Sequence, residues 1–305
     1  MATDLRPSIL TKSAMLLICL SSIRFVTAQE PAKAGSLRQL IPGHFVYSTN
    51  NAGRVFSSGV IVTSEGALVV DALDSETVAR AERESISDIT KQPVRRLVSS
   101  SFHDPFSKGN IAYADVFKIG HEHYRSGLLD QMQRGGASAE EQRARLPTET
   151  FRDRVTLYFG GKEIQVLYFG RAHTQGDSIV FVPQDRIAYL SEVFFCEEFP
   201  NSAQGYGVSW LRVLDAVEAL GADIFVPGHG SIPEDPRGTR AALHRMRQIL
   251  VDARDALQHE MARGATEDQA AAAVRLQQYE KLPTYSAQRE AFVRRMYREL
   301  TGGLP

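Results

Sequence analysis

At 305 residues, with 43% hydrophobic and 23% charged residues, the chain has enough material for one large or two small domains around a sizeable core. Its formal net charge of -1 provides no basic footprint for a phosphate backbone, which excludes nucleic acid from the expected partners. The chain opens with Arg6 and Lys12, an apolar run over Ala14–Leu20, and the small residues Val26-Thr27-Ala28 before Gln29, the layout of a cleaved secretory signal over residues 1–28. Arg24 interrupts the apolar run too early for a membrane span, so export to the periplasm or beyond is expected, without stable membrane insertion. Cys19 would leave with the signal, and Cys196 would then be alone, with no internal disulfide to form.

A polar linker over 29–37 leads into strand-like runs at His44–Tyr47, Gly59–Val62 and Ala67–Asp71, punctuated by Gly53 and Ser64-Glu65-Gly66. Asp74-Ser75 is an N-cap signal for a helix that Pro93 stops, and Val94–Ser99 reads as the next strand. Residues 131–150 are polar and helix-prone, a surface helix or a lid. Strands resume at Val155–Phe159, Ile164–Phe169, Ser178–Val182 and Arg186–Leu190, a helix is expected over Trp210–Leu220, and a last strand over Asp223–Val226 ends at Pro227-Gly228-His229-Gly230. Beyond Pro236 the apolar residues Leu243, Met246, Ile249, Leu250, Ala253 and Leu257 recur at helical spacing. Thr266 and Gln269 fit a capping box for a second helix, and Ala287–Leu300 fits a third. The order of meander, helix, meander and helix predicts two sheets packed face to face with helices outside, a main domain over 38–235 and a helical extension over 236–305.

His103, His173 and His229 each follow a predicted strand in a loop rich in Gly, Asp or Ser, where a rigid frame positions functional groups. His121 and His123, in "GHEHY", lack the acidic and imidazole neighbours of a ligand motif and read as solvated. His44, His244 and His259 need no function. Cys196 lies four residues beyond Glu192, out of register for a ligand.

The segments "DALD", "SSSFHDPFSKGN", "GRAHTQGDS" and "VPGHG", each after an apolar strand, resemble the metallo-β-lactamase fold superfamily over roughly Phe45–Ile232. The resemblance implies an α+β fold, a four-layer αββα sandwich with metal ligands on loops along one edge. The family hallmark H-x-H-x-D-H, anchored on Gly109-Asn110, falls on Ser101, His103, Pro105 and Phe106, so only His103 survives of its four side chains. The later family ligands match His173, Glu192 (in place of the usual Asp) and His229, and Asp71 is implied to accept hydrogen bonds from the loop that carries His103.

Serine is a poor zinc ligand, and proline and phenylalanine are none, so a standard two-metal centre is not expected. What remains is one divalent ion, zinc with iron or manganese as alternatives, held by some of His103, His173, Glu192 and His229. Asp104 or Glu192 would then take a proton from the attacking water. The corresponding function is an exported hydrolase of a small acyl substrate: a β-lactam, lactone, ester or thioester. The alternative from a different class is a metal-free binding or scaffold protein that keeps the fold. The sequence leaves the oligomeric state open.

Overall fold

The computed structural model describes Met1, residues 35–202 and residues 204–304; the signal assigned to 1–28, most of the linker and Cys19 lie outside the described residues. The amino-terminal meander consists of β1 (Ser36–Ile41), β2 (His44–Asn51), β3 (Arg54–Thr63) and β4 (Gly66–Val70). Helix α1 (Glu76–Ile89) carries the chain across to β5 (Val94–Ser99), parallel to β4, with Ser75 Oγ capping the Val78 amide. The short helix α2 (Asp104–Ser107) and a 3-10 turn over Lys108–Tyr113 lead to β6 (Phe117–His121), and α3 (Glu122–Arg134) and α4 (Ala139–Arg145) to β7 (Glu149–Phe151). β5, β6 and β7 are all parallel.

The second half contains β8 (Arg154–Phe159), β9 (Lys162–Leu167), β10 (Ile179–Val182) and β11 (Ile187–Phe195), with antiparallel pairing throughout. Helix α5 (Gly207–Ala219) returns the chain to β12 (Ile224–His229), parallel to β11. The carboxy-terminal helices are α6 (Thr239–Ala262), α7 (Glu267–Ala273), with the expected Thr266–Gln269 capping box, and α8 (Tyr285–Leu300).

All strands belong to one continuous sheet, in the order β7-β6-β5-β4-β3-β12-β11-β10-β9-β8, with β2 and β1 continuing from β3. Its two halves are joined through the pairing of His229 with Phe56. They fold over a shared apolar layer: Val46, Ile61, Leu68, Val98 and Ile119 face Ile164, Val166, Val180, Ile187 and Val226. Helix α1 covers the first half, and α5 to α8 cover the second through the stripe from Leu243 to Leu257, so the layers run α, β, β, α. Among the described residues no helix is long and apolar enough to cross a membrane.

Several local expectations change. β11 runs on through Phe195, so Glu192 lies within a buried strand rather than after it. His121 is buried, not solvated: its ring stacks on Tyr168 at 3.7 Å, Nε2 donates to the Arg152 carbonyl, and Nδ1 accepts from the His123 amide at the start of α3. His123 alone of that pair is exposed. Residues 131–150 are tied to the body, since the Arg145 carbonyl accepts from Asn110 Nδ2 and β7 extends the sheet.

The buried face of α1 contains Glu82, fully enclosed. Burial pushes its carboxyl up to about 8, against the hydrogen bonds from Ser58 and Tyr113. The geometry agrees: the single Ser58 hydroxyl proton has the Asp71 carbonyl as acceptor at 2.9 Å, so a Glu82 proton completes the Ser58–Glu82 contact. A raised carboxyl keeps its proton in the folded chain while the unfolded chain releases it, so stability falls as pH rises from about 4.5 to about 8. The slope is at most about 1.4 kcal/mol per pH unit for one proton. Urea unfolding of Glu82→Gln near pH 5, 6.5 and 8 is expected to show a flatter dependence than the parent, and an unchanged slope would place the titration elsewhere.

Candidate metal centre

The site forms where the parallel strands end, the edge at which α/β sheets present functional loops. β4 delivers Asp71, β5 the Ser100–His103 loop, and β12 His229, while β11 carries Glu192 and the loop after β9 brings His173. Close backbone approaches hold these segments together. A side chain on Gly109 would lie 1.8 Å from the Ala72 carbonyl oxygen, and one on Gly230, at φ +83°, 1.9 Å from that of Cys196. Only glycine permits either approach.

Asp71 and Ser191 both adopt left-handed backbone conformations, at φ +65° and +48°, unusual for residues other than glycine. In that conformation Asp71 accepts from the Ser100 amide and hydroxyl, both at 2.7 Å, and from Ser191 Oγ at 2.5 Å. Burial raises its carboxyl to about 6, with the Ser191 and Ser100 hydrogen bonds opposing. Asp71 thereby ties the loop carrying His103 to the strand carrying Glu192.

Glu192 is the centre of the cluster. Its Oε2 lies 2.8 Å from His103 Nδ1 and 3.3 Å from His173 Nδ1, and accepts from Ser101 Oγ; its Oε1 lies 3.1 Å from His229 Nε2. Burial alone would raise this carboxyl, but His173 and His103 hold it well below the usual carboxylate range. Conversely, His103 loses proton affinity to burial but regains more from the Glu192 charge, and is pushed up to about 9. His229 falls to about 4, because its burial outweighs the attraction of Glu192.

Arg54 Nη2 lies 3.4 Å from His229 Nδ1. A guanidinium only donates, so Nδ1 accepts and the ring proton sits on Nε2, directed at Glu192. In this arrangement His229 meets the cluster through Glu192, and its ring is fixed by Phe195, stacked at 4.1 Å, with Phe106 at 5.2 Å. Phe106, at the last hallmark position, is fully buried against the histidine it would have joined as a ligand.

His103, His173 and Glu192 each present a ligand atom within 4.8 Å of the others. His173 is 1% exposed, and beyond the 3.3 Å contact of Nδ1 with Glu192 neither ring nitrogen has a partner among the described residues. Buried imidazole nitrogens are normally satisfied, and a cation is a natural missing partner for this one. Two imidazoles and a carboxylate match the donor set of a catalytic divalent site, so the residues fit such an ion.

Asp104 is not brought into this group. As the first residue of α2 it turns outward, accepting from Gln131 Nε2 at 2.6 Å and pairing with Lys108 at 2.9 Å. Pro105 sits in the first turn of α2, where its missing amide hydrogen costs nothing. The Cys196 thiol, buried and pushed up to about 12 by that burial, is outside the ligand group. The roles of Ser101 as a donor to Glu192 and of Arg54 beside His229 were not read from the sequence. The first looked like a lost ligand, and the second follows the Gly53 turn with nothing in the local sequence to pair it with His229, 175 residues on.

The sequence profile of the metallo-beta-lactamase superfamily matches residues 53–229. Among curated proteins, a linear primary-alkylsulfatase from Pseudomonas sp. (strain ATCC 19151) is 23% identical over 78% of this chain and 52% of its own length. The alpha subunit of a 2,4-dinitroanisole O-demethylase from Nocardioides sp. (strain JS1661) is 24% identical over 57% of this chain and 52% of its own. The chain thus spans about half the length of these curated relatives. Among solved structures, a metallo-beta-lactamase from Pontibacter korlensis superposes with a TM-score of 0.59 at 18% identity, over 71% of this chain and 98% of that one. A stereoselective inverting sec-alkylsulfatase from Pseudomonas sp. superposes with a TM-score of 0.66 at 14% identity, over 88% of this chain and 50% of that one. With the profile covering more than half of its length, and the αββα layers and strand-end histidines in place, the chain belongs to the metallo-beta-lactamase superfamily.

Proposed function

We propose that this protein is a hydrolase dependent on one divalent ion, held by His103, His173 and Glu192, and that it cleaves a small ester-type substrate. The observation that carries the reading is His173, whose buried Nε2 has no partner among the described residues and whose Nδ1 meets Glu192 at 3.3 Å, with His103 also within ligand distance. Zinc suits this donor set, and iron(II) or manganese are the alternatives. When bound, the ion would supply Lewis acidity toward a carbonyl, sulfuryl or water oxygen.

The residues supply the rest. Ser101 and His229 hold the two oxygens of Glu192 and so fix the rotation of its carboxylate. Of the two carboxylates considered as proton acceptors, Glu192 faces the cluster, whereas Asp104 is engaged by Gln131 and Lys108. His103, the most exposed member of the group at 18%, marks the side on which substrate and solvent reach it. Acyl esters, lactones, thioesters and β-lactams are the substrates expected from the sequence, and the alkylsulfatase relatives add sulfate esters.

Metal content of protein purified without chelator is expected to be about one ion per chain, as a single His/His/Glu set allows. His173→Ala and Glu192→Gln should each weaken binding at least tenfold and abolish hydrolysis of p-nitrophenyl acetate or p-nitrophenyl sulfate, whereas exposed His244→Ala should change neither. A folded His173→Ala variant with full metal content would overturn the ligand assignment. A parent protein with no affinity for zinc, iron or manganese would favour the metal-free binding protein instead.

We further propose, from the charge and apolar pattern of residues 1–28, that the chain is exported to the periplasm or secreted. The exported fraction from a bacterial host is expected to begin near Gln29 on N-terminal sequencing, and an intact Met1 on soluble cytosolic protein would overturn this.

A further inference from the structure

The chain that leaves β11 carries an acid with no part in the site described above. β11 closes at Phe195, the Cys196 amide donates to the His229 carbonyl at 2.9 Å, and Glu197 takes a left-handed conformation at φ +58°. At that turn two neighbouring acids part. Glu197 is exposed and pairs with Arg245, whereas Glu198 is more than nine-tenths buried.

Glu198 Oε2 accepts no hydrogen bond and has one cation beside it, Arg54 Nη2 at 3.6 Å. The same Nη2 donates to His229 Nδ1 at 3.4 Å, and the other ring nitrogen of His229, Nε2, meets Glu192 Oε1 at 3.1 Å. Glu198, Arg54, His229 and Glu192 therefore stand in a row. The Arg54 guanidinium lies 5.2 Å over the Phe56 ring, and that ring packs on His229 at 5.1 Å, so guanidinium and imidazole share one aromatic support. An arginine stem is flexible, and its Nε here is buried without a partner, which leaves Glu198 and Phe56 to fix where the guanidinium stands. Of the two, a carboxylate removed from water exerts the stronger pull on a cation.

We propose that Glu198 is a positioning residue: it holds Arg54 against the imidazole of His229, and so steadies the ring that restrains Glu192. The effect on His229 stands by itself, whereas an effect on metal affinity rests on the ligand role proposed for Glu192.

The decisive measurement is on the His229 ring, in long-range proton–nitrogen correlation spectra of protein labelled in its histidines and freed of metal by chelation, with His229→Gln giving the assignment. The parent is expected to show Nδ1 as a hydrogen-bond acceptor and the proton on Nε2. Glu198→Gln, which keeps the shape and removes the charge, should move the Nδ1 resonance toward that of an unbonded imidazole nitrogen. It leaves only Arg54 without its partner, and at 34% exposure that side chain reaches solvent, so the variant folds. In an Arg54→Met background the same substitution should cause no further shift, because its route to His229 is gone. Zinc affinity, read by competition with a chromophoric chelator, should fall about tenfold or more in Glu198→Gln, as for other outer partners of metal ligands. An unmoved Nδ1 resonance in Glu198→Gln, with only the unfolding midpoint lowered, would mean a purely structural acid and would overturn the proposal, as would an equal further shift in the Arg54→Met background. A shifted resonance with undiminished zinc affinity would overturn its reach to Glu192. A shifted resonance in a protein whose parent binds no zinc would uphold the proposal and remove the hydrolase reading, so the two failures are distinct.

Discussion

A single buried carboxylate organises this molecule. Glu192 brings a negative charge to the middle of β11, where an unpaired ion would be expelled or neutralised. It stays charged because His103, His173, His229 and Ser101 converge on its two oxygens. Those four residues come from three loops far apart in sequence, so the charge and the folding of the sheet halves onto each other are one requirement. Loss of Glu192 would leave the imidazoles of His103, His173 and His229 without their shared carboxylate, whereas loss of His103 would leave Glu192 its other three partners.

The backbone around this charge is under matching constraint. Asp71 and Ser191 hold left-handed conformations at a typical cost of about 1–3 kcal/mol each, and their side chains bond to each other. That strain is sustained because β4 and β11 are both fully enclosed and cannot relax independently. Glycines 109 and 230 let the loops press directly on neighbouring carbonyls, so the ligand-bearing segments have little room to shift. The result is a site preorganised by its scaffold, in which side-chain identity rather than loop motion decides which donors meet.

Much of this could be read in the sequence, and the reason is periodicity and punctuation. Strands ending in loops at His103, His173 and His229 are local patterns, and so are the α6 stripe and the Thr266–Gln269 cap, which the structure places where they were expected. What escaped depends on contacts between distant segments. His121 looked solvated because nothing nearby in the chain announces that Tyr168, 47 residues on, will cover its ring. Glu82 carries no local sign of its burial, which comes from Ser58 and Tyr113 on other elements. Asp104 looked like a proton acceptor because it adjoins His103, but successive residues at a helix start point in different directions, and its carboxylate follows α2 toward Gln131.

The altered hallmark loop is the clearest case of side-chain chemistry departing from the family pattern. Gly109 packs on Ala72, and Pro105 takes a helix-start position that suits its fixed φ, so the loop is held at both points. Ser101 has exchanged a ligand nitrogen for a hydroxyl that restrains Glu192, and Phe106 has exchanged one for a ring packed on His229. The two changes fall on different sides of the site. Ser101 removes a donor beside His103 and His173, whereas Phe106 removes one beside His229, where Arg54 already directs the imidazole proton toward Glu192. The described residues that stand within ligand distance of one another are His103, His173 and Glu192, while Phe106, Phe195 and Arg54 surround His229.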